Sequence, residues 1–167
     1  MQKKKKKYAI KLLKKKLWTQ AELQKRLEIK FGPSDEILKI IDKFSREGLL
    51  NDQDYARAYI TSKNNISPTG DYKKKLFLLK KGINVDVVDS AIQNFSIGDE
   101  ETAKILIDKK IRNYQRNAKK LDHRDIFAKL INHLSYHCIK TETAYKILEE
   151  MRDNLLSKES SDNVSVE

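Results

Sequence analysis

The stretch Tyr55-Ala56-Arg57-Ala58-Tyr59-Ile60 decides the fold of this chain, because its apolar pattern occurs three times. The apolar residues lie at positions i, i+1, i+4 and i+5, which share one face of an α-helix. The same pattern begins at Tyr8 and again at Thr102, so successive copies are 47 residues apart. A period of about 47 residues is at the upper end of the range for armadillo-type helical repeats.

A second apolar pattern, with the helical spacing i, i+3, i+4 and i+7, also occurs three times and begins at Ile37, Val88 and Ala144. Between the two patterns of each copy lies a third apolar segment. Three copies of three helices predict an all-α fold, in which three tandem three-helix repeats form an elongated nine-helix solenoid. The 5 glycines and 2 prolines are too few for the many tight turns of a β-sandwich or barrel.

The repeats and the polar ends of the chain define five segments. Five consecutive lysines at residues 3–7 repel one another, which favours a flexible arm over a helix. From Asp153 onward the chain is polar and rich in serine, which favours a disordered tail. The predicted segments are a basic N-terminal arm over residues 1–7, three-helix repeats over 8–50, 51–97 and 98–152, and a polar, disordered tail over 153–167.

Capping residues mark several of the predicted helix ends. Thr19 and Glu22 have the spacing of a capping box at a helix N-terminus. Gly82 is placed to end a helix, and Gly98 and Asp122 are placed to begin one.

The charge of the chain indicates an acidic partner. Its 167 residues include 35 basic and 24 acidic side chains, a net charge of +11, and the basic excess falls in three blocks, residues 1–16, 61–83 and 109–129. Such blocks are typical of surfaces that face a polyanion such as nucleic acid. The alternative is that the lysines only keep a helical protein in solution. The residues predicted to contact DNA or a DNA filament are Lys11, Lys14, Lys15, Lys73, Lys74, Lys75, Lys109, Lys110, Arg112, Arg116, Tyr72 and Tyr114.

The tyrosines divide into two groups. Tyr72 and Tyr114 lie among basic residues and off the strongest apolar patterns, so they are candidates for stacking on nucleic-acid bases. Tyr8, Tyr55 and Tyr59 lie on the patterns themselves and are predicted to belong to the core.

No motif for catalysis, nucleotide binding or a metal centre is present in the sequence. His133 and His137 are four residues apart and next to Cys138, a spacing that places both imidazoles on one helix face and could begin a metal site. The apolar pattern of the same helix favours a structural role instead. We therefore expect no enzyme activity, no cofactor and no metal.

The chain has one cysteine, which excludes an internal disulfide and favours a reducing compartment. No apolar run approaches the roughly 18 residues that a membrane-spanning helix needs. The basic N-terminus is followed by a segment that lysines interrupt, unlike the apolar part of a signal peptide. These features predict a cytoplasmic protein that does not bind a membrane.

Taken together, the repeats and several sequence motifs resemble the RecX family of regulatory proteins. Residues 47–60, Glu-Gly-Leu-Leu-Asn-Asp-Gln-Asp-Tyr-Ala-Arg-Ala-Tyr-Ile, are similar to the family's segment EGLLDDxxFAxxYV. Residues 8–27 resemble the family's start, YALRLLxxRxxSxxELxxKL, and residues 78–83 resemble its segment ELxxKGI. The likeness covers about Tyr8 to Met151.

The sequence departs from the family pattern in its second and third repeats. The fifth helix of family members begins with a segment similar to Gly-Pro-Arg-Arg-Ile, where this chain has residues 67–75 with three lysines. Phe77 replaces a glutamate of that helix, and His137-Cys138-Ile139 replaces Arg-Gly-Phe in the third repeat. The departures leave the expected fold unchanged.

The resemblance implies a monomeric modulator of the RecA recombinase, acting in DNA recombination, DNA repair and the SOS response. Such proteins bind in the groove of the RecA–DNA filament, contact DNA through its phosphates, and usually inhibit RecA activity. Two other functions stay open on the sequence alone. One is a general basic nucleic-acid-binding helical module with no recombinase partner, and the other is a helical solenoid that binds only proteins.

Overall fold

The computed structural model describes residues 2–116 and 123–162 of the chain, and every regular element in those ranges is an α-helix. The all-α class predicted from the sequence is confirmed, and the helices follow one another in the predicted order. Asp122, predicted to begin the eighth helix, lies outside the described residues. The nine helices of the described ranges are α1 Gln2–Leu13, α2 Gln20–Phe31, α3 Asp35–Arg46, α4 Asp52–Asn65, α5 Asp71–Lys80, α6 Val85–Phe95, α7 Gly98–Arg116, α8 His123–Tyr136 and α9 Thr141–Asp162.

The 47-residue period reappears in the burial of the side chains. Ala9, Ala56 and Ala103 occupy the same position of the first apolar pattern, and each is 0 % exposed. Three separate apolar clusters surround them, and their largest members include Phe44, Leu78 and Leu134. Each set of three helices therefore buries its own apolar core.

The chain divides into two compact units whose limits differ from those of the three repeats. The first unit contains the residues up to Ser62 together with Lys74–Ser96. The second unit contains Lys63–Lys73 together with the residues from Ile97 onward. The end of α4 and the loop that leads into α5 therefore belong with α7, α8 and α9.

The N-terminal lysines form a helix, so the prediction of a flexible arm is wrong for residues 2–7. Lys5 is only 5 % exposed. Its ammonium group lies 2.8 Å from a carboxylate oxygen of Glu36 and donates a hydrogen bond of 2.8 Å to the Ser34 hydroxyl. The hydrogen bond from Lys5 lowers the pKa of Glu36. These contacts with α3 and its N-cap offset the repulsion among the lysines and fix the first turns of α1.

At the other end of the chain, α9 continues to Asp162, whereas the sequence predicted a disordered tail from Asp153. The segment beyond Asp153 includes two leucines, a lysine and a glutamate, which are all good helix formers. Residues 163–167 of the predicted tail lie outside the described residues. Within the described part of the chain, no helix combines the length and the apolar character needed to cross a membrane.

In the first unit, the start of α2 packs against the end of α5, and we call this contact the first junction. The Thr19 hydroxyl accepts a hydrogen bond of 3.1 Å from the Glu22 N–H and donates one of 2.8 Å to the Lys81 carbonyl. The Gln20 N–H donates to a carboxylate oxygen of Asp52 at 3.0 Å. Only half of the predicted capping box forms, because the Glu22 carboxylate bonds to the Lys81 ammonium group at 2.5 Å.

In the second unit, the start of α5 packs against the end of α8, and we call this contact the second junction. The His137 carbonyl accepts hydrogen bonds from the Gly70 N–H at 2.8 Å and from the Thr69 hydroxyl at 3.3 Å. The Asp71 N–H donates to a carboxylate oxygen of Asp99 at 2.8 Å. Both junctions thus give partners to backbone groups at helix ends that would otherwise be unpaired.

Candidate nucleic-acid interface

In the first unit, lysines of α1 and α2 surround an aromatic groove of about 530 Å³. Two of the predicted contact residues, Lys11 and Lys14, lie on its rim, and both are exposed. We call this surface the lysine groove; it is lined by Lys4, Lys7, Tyr8, Ile10, Lys11, Lys14, Lys30 and Phe31. Lys15 is exposed but does not line the groove.

The floor of the lysine groove is aromatic. The rings of Tyr8 and Phe31 meet edge to face with their centroids 5.7 Å apart. The Lys30 ammonium group lies 3.7 Å from the centroid of the Tyr8 ring, a cation–π contact. Tyr8 packs against the first core, as the sequence predicted, but its partly exposed ring also lines the groove. Lys30 was not among the predicted contact residues, because α2 brings it to α1 only in the folded chain.

The three consecutive lysines of α5 have different environments. Lys74 is 0 % exposed and donates a hydrogen bond of 2.8 Å to the Ser96 hydroxyl, so the prediction that it contacts DNA is wrong. Lys75 is half-buried and lies 2.5 Å from a carboxylate oxygen of Asp89. Helix geometry explains the burial of Lys74, because it lies four residues before the buried Leu78 on the same helix face.

Lys73 and Tyr72 belong to the second unit. The Lys73 ammonium group donates a hydrogen bond of 2.9 Å to the Tyr136 carbonyl and lies 4.3 Å from the centroid of the Tyr136 ring. The Tyr72 side chain is 61 % exposed and the Tyr136 side chain is 72 % exposed. Tyr136, which the sequence analysis did not select, is therefore an exposed aromatic ring beside a lysine, as expected of a platform for base stacking.

The basic residues of α7 extend over its second half. Arg112 and Arg116 are exposed, and Arg112 lies 3.6 Å from a carboxylate oxygen of Asp108. Tyr114 is half-buried, and the Lys110 ammonium group lies 5.4 Å from the centroid of its ring. The cation–π contact and the partial burial reduce the ring area that Tyr114 can offer to a base.

Lys109 and Lys110 also line a pocket of about 350 Å³ in the second unit. The opposite wall comes from α8, whose His133 and His137 rings have centroids 4.8 Å apart. We call this site the histidine pocket; it is lined by Ile66, Ser67, Pro68, Leu106, Lys109, Lys110, Asn113, His133 and His137.

Both imidazoles of the histidine pocket favour their neutral form. Burial lowers the pKa of His133 below its ordinary 6.5, and the charge of Lys110 lowers it further. Burial also lowers the pKa of His137, with further lowering by His133, Lys73 and Lys63, while a hydrogen bond to the Pro68 carbonyl opposes the change. The Nδ1 atom of His137 is buried and has no hydrogen-bond partner among the described residues.

The surroundings of the two histidines oppose a metal ion. Within the described residues, no group of three or more His, Cys, Asp or Glu side chains is placed to hold a metal. Cys138 has a positive φ of 58°, a conformation that the end of α8 imposes on the chain. Lysines close to both imidazoles would repel a cation.

The structure thus brings some of the predicted contact residues together in one site and places others apart. Lys11 and Lys14 share one groove in the first unit, and Lys109 and Lys110 share one pocket in the second. Tyr8 in the groove, and the pair His133 and His137 in the pocket, join these lysines only in three dimensions. The sequence signal for them was limited to the positions of the histidines four residues apart.

Comparison with known proteins gives one consistent result. No protein-family model matches the chain. The regulatory protein RecX of Clostridium botulinum is 29 % identical over 109 residues, which cover 65 % of this chain and 50 % of that protein. The regulatory protein RecX of Mycolicibacterium smegmatis is 23 % identical over 131 residues, which cover 78 % of this chain and 70 % of that protein.

The backbone gives the same result over more of the chain. The crystal structure of RecX from Lactobacillus salivarius matches with a TM-score of 0.76 and 25 % identity, covering 90 % of this chain and 96 % of that one. A second crystal structure of a regulatory protein RecX matches with a TM-score of 0.72 and 22 % identity, covering 89 % of this chain and 71 % of that one. The matches span about half the length of the first curated relatives. Relatives and solved structures that carry the name regulatory protein RecX match across the helical repeats, so the chain is similar to the RecX regulatory proteins in sequence and in fold.

Proposed function

We propose that this chain binds the RecA recombinase on its DNA filament and restrains RecA activity in recombination and DNA repair. The observation that carries the proposal is the backbone likeness to a RecX crystal structure over 90 % of the chain. The regulatory role named for the relatives fits a protein made of stacked helices without a catalytic constellation in its sequence. In this proposal the chain acts as a cytoplasmic monomer, without enzyme activity and without a cofactor.

The basic surfaces of the two units would supply the contacts with DNA. A cationic side chain that neutralises a phosphate releases condensed counterions, which favours binding and makes the affinity depend on salt. The lysine groove presents Lys11 and Lys14 around aromatic rings. The second unit presents Lys109 and Lys110 in the histidine pocket, and Lys73 beside exposed Tyr136. Of the acidic segment Asp99-Glu100-Glu101, Asp99 accepts from the Asp71 N–H and Glu100 pairs with Lys146, so exposed Glu101 would be the residue that faces a basic protein surface.

A binding assay with purified RecA tests the recombinase half of the proposal. The chain is immobilised and incubated with RecA alone, with RecA and single-stranded DNA, and with both plus a nucleotide that RecA cannot hydrolyse. We expect retention of RecA to be greatest with the assembled filament, and the same chain to slow ATP turnover by RecA on single-stranded DNA. Equal, background retention in all three conditions together with unchanged ATP turnover would contradict the proposal.

The salt dependence of binding tests the DNA half. If about six phosphates are neutralised, the logarithm of the binding constant should fall with the logarithm of salt concentration at a slope of about −4 to −5. The double variant Lys11→Gln and Lys14→Gln should flatten that slope by about one to two units. Lys25→Gln, an exposed lysine of α2 outside the groove, is the control and should change the slope less. Equal slopes for the parent chain and the double variant would remove the lysine groove from the interface.

The aromatic floor of the lysine groove favours a second candidate, a general nucleic-acid-binding helical module with no recombinase partner. Rings beside lysines bind single strands of any sequence by stacking and charge. The two candidates differ in one measurement. The general module binds single-stranded DNA alone as tightly as it binds DNA coated with RecA, whereas a RecA regulator prefers the coated filament.

A further inference from the structure

We propose that the histidine pocket binds a phosphate group of a nucleic-acid backbone and takes up protons as it binds. The nucleic-acid part of this inference rests on the proposed function, while the phosphate site itself rests on the pocket. Its walls come from three places in the chain: the loop before α5, the second half of α7, and α8. The cavity of about 350 Å³ is large enough for a phosphate group with its attached sugar.

The composition of the pocket selects an anion. The polar groups on its walls are the ammonium groups of Lys109 and Lys110, the imidazoles of His133 and His137, the Asn113 amide and the Ser67 hydroxyl. None of the described residues that line the pocket is acidic. Lysine and protonated histidine only donate hydrogen bonds, and phosphate oxygens only accept them, so the pocket and the ligand are complementary.

The charges around each imidazole give the site its response to pH. His133 faces Lys110 of α7, and His137 faces His133 of its own helix, Lys63 at the end of α4 and Lys73 of α5. All of these neighbours are basic, and together with burial they lower the pKa of both rings in the free protein. A bound phosphate brings negative charge among them, which reverses the balance and favours the protonated rings.

The hydrogen bonds of His137 point to the same coupling. One side of its ring bonds to the Pro68 carbonyl, and the buried Nδ1 has no partner among the described residues. A proton placed on Nδ1 would create a buried donor without an acceptor, which is costly. The negative charge of a phosphate in the pocket offsets the cost of charging the ring, so binding of the anion and binding of the proton support each other.

Imidazole NMR on the chain of 167 residues measures the coupling directly. The pKa values of the three histidines are determined without ligand and with a single-stranded oligodeoxythymidylate, at constant ionic strength. We expect the oligonucleotide to raise the pKa of His133 and His137 and to leave His123, the remaining histidine, much less changed. An equal rise at all three histidines, or no rise at His133 and His137 while the oligonucleotide binds, would overturn the proposal.

Affinity gives an independent readout. The oligonucleotide should bind about tenfold more tightly at about pH 6 than at about pH 8. A rise of one unit in the pKa of one ring on binding increases the binding constant by up to about tenfold. The variant His133→Gln with His137→Gln should lose most of this pH dependence. Lys129→Gln, an exposed residue of the same helix outside the pocket, should keep it. A double-histidine variant with the parent's pH dependence would contradict the proposal.

Two further measurements complete the test: the same titration with inorganic phosphate, and the effect of the chain on RecA activity. The first identifies the source of the phosphate, and the second tests the proposed function separately from the pocket. If inorganic phosphate raises the two pKa values and the oligonucleotide does not, the pocket binds free phosphate and the nucleic-acid assignment is overturned. If the oligonucleotide raises both values while RecA activity is unaffected by the chain, the pocket stands and the RecA proposal fails. If RecA is restrained but neither ligand changes the two pKa values, the RecA proposal stands and the pocket fails.

Discussion

The first junction, in one unit, and the second junction, in the other, are built from the same hydrogen bonds at matching positions. In each, a carbonyl at the end of a helix, from Lys81 or His137, accepts a hydrogen bond from a residue just before another helix. In each, an aspartate of a third helix accepts from an N–H in the first turn. The two aspartates, Asp52 and Asp99, are 47 residues apart, so the acceptor of this hydrogen bond follows the period of the repeats.

The junctions differ in where they place glycine. In the first, Gly82 has a φ of 78°, and a Cβ there would lie 2.4 Å from the Ala21 Cβ. In the second, Cys138 occupies the matching position with a φ of 58°, and the glycine is Gly70, where a Cβ would lie 2.5 Å from the Cys138 carbonyl oxygen. Each close approach therefore depends on one glycine. In the first junction the glycine follows the helix whose end is packed, and in the second it precedes the helix whose start is packed.

The junctions also differ in charge, and this difference has a functional consequence. Glu22 and Lys81 form an ion pair at 2.5 Å in the first junction. Glu22 lies three residues after Thr19, which bonds to the Lys81 carbonyl, and Lys73 lies three residues after Gly70, which bonds to the His137 carbonyl. In the second junction Lys73 therefore takes the place of Glu22, and His137 takes the place of Lys81. The second junction therefore lacks this ion pair, and Lys73 lies near the His137 ring of the histidine pocket instead. The same framework thus serves packing in one unit and an anion site in the other.

The largest effect is expected from Gly82→Ala. The substitution adds left-handed backbone strain of about 1–2 kcal/mol and overpacks Ala21, so we expect a loss of about 3 kcal/mol in the free energy of unfolding. Urea unfolding followed by circular dichroism measures it.

Two variants separate strain from overlap in that result. Gly48→Ala has a similar φ of 70° but open space around its Cβ, so it should cost only about 1 kcal/mol. Ala21→Gly combined with Gly82→Ala removes the overlap and should recover part of the loss. Equal losses for Gly82→Ala and Gly48→Ala would show that the close approach at the first junction has no energetic weight.

The next effect tests the difference in charge. Lys73→Glu with His137→Lys rebuilds the acid–base pair of the first junction at the second, and we expect it to weaken oligonucleotide binding about tenfold, or about 1.4 kcal/mol. At about pH 8 the double variant lowers the net charge of the chain by one. Lys129→Gln also lowers the net charge by one, outside the junction, and is therefore the matched control. Fluorescence anisotropy with a labelled oligodeoxythymidylate gives both affinities. An equal, small loss in the two variants would mean that only net charge matters.

The fold was predictable from the sequence because helical periodicity and the 47-residue repeat are local signals. Ala9, Ala56 and Ala103 are buried at the positions that the pattern indicates. The prediction for Lys74 is wrong because its place four residues before Leu78 puts it on the buried face of the helix. Charge alone does not determine exposure when the neighbouring helices supply a hydroxyl acceptor such as that of Ser96.

The candidate site was less predictable, for a physical reason. The histidine pocket joins a loop, α7 and α8, and no sequence pattern states which faces of distant helices meet. Lys109 and Lys110 were selected for their charge, and His133 and His137 for their spacing, but nothing in the sequence linked the two pairs. Tyr136 was missed because its exposed ring gains a role only from the lysine that α5 brings to it.

A smaller effect is expected from breaking the ion pair of the first junction. Glu22→Gln should cost about 1 kcal/mol of unfolding free energy at neutral pH, because the Lys81 ammonium group loses its charged partner. The hydrogen bond to Glu22 raises the pKa of Lys81 above its ordinary 10.5. The contribution is therefore complete below pH 10.5 and is lost as the pH rises through the higher pKa of the folded protein.

Urea unfolding of the parent chain and Glu22→Gln, near neutral pH and at strongly alkaline pH, measures the difference. Glu28→Gln, on the same helix but hydrogen-bonded to Gln24, is the control and should show no such alkaline loss. A difference between parent and Glu22→Gln that stays constant through the alkaline range would contradict the assigned role of the pair.

The smallest effect is the pH dependence of stability that the second junction should add. The pKa values of His133 and His137 lie below 6.5 in the folded protein, so below pH 6.5 the unfolded chain binds more protons than the folded one. Stability from these two groups is complete above pH 6.5 and falls as the pH drops through 6.5 towards the folded pKa values.

Urea unfolding at about pH 8 and about pH 6, without multivalent anions, should show this loss of stability, and the double variant His133→Gln with His137→Gln should reduce the loss. Adding oligodeoxythymidylate should also reduce it, since a bound phosphate favours the protonated rings. A loss that persists unchanged in the double variant would assign the pH dependence to groups outside the second junction and would end its contrast with the first.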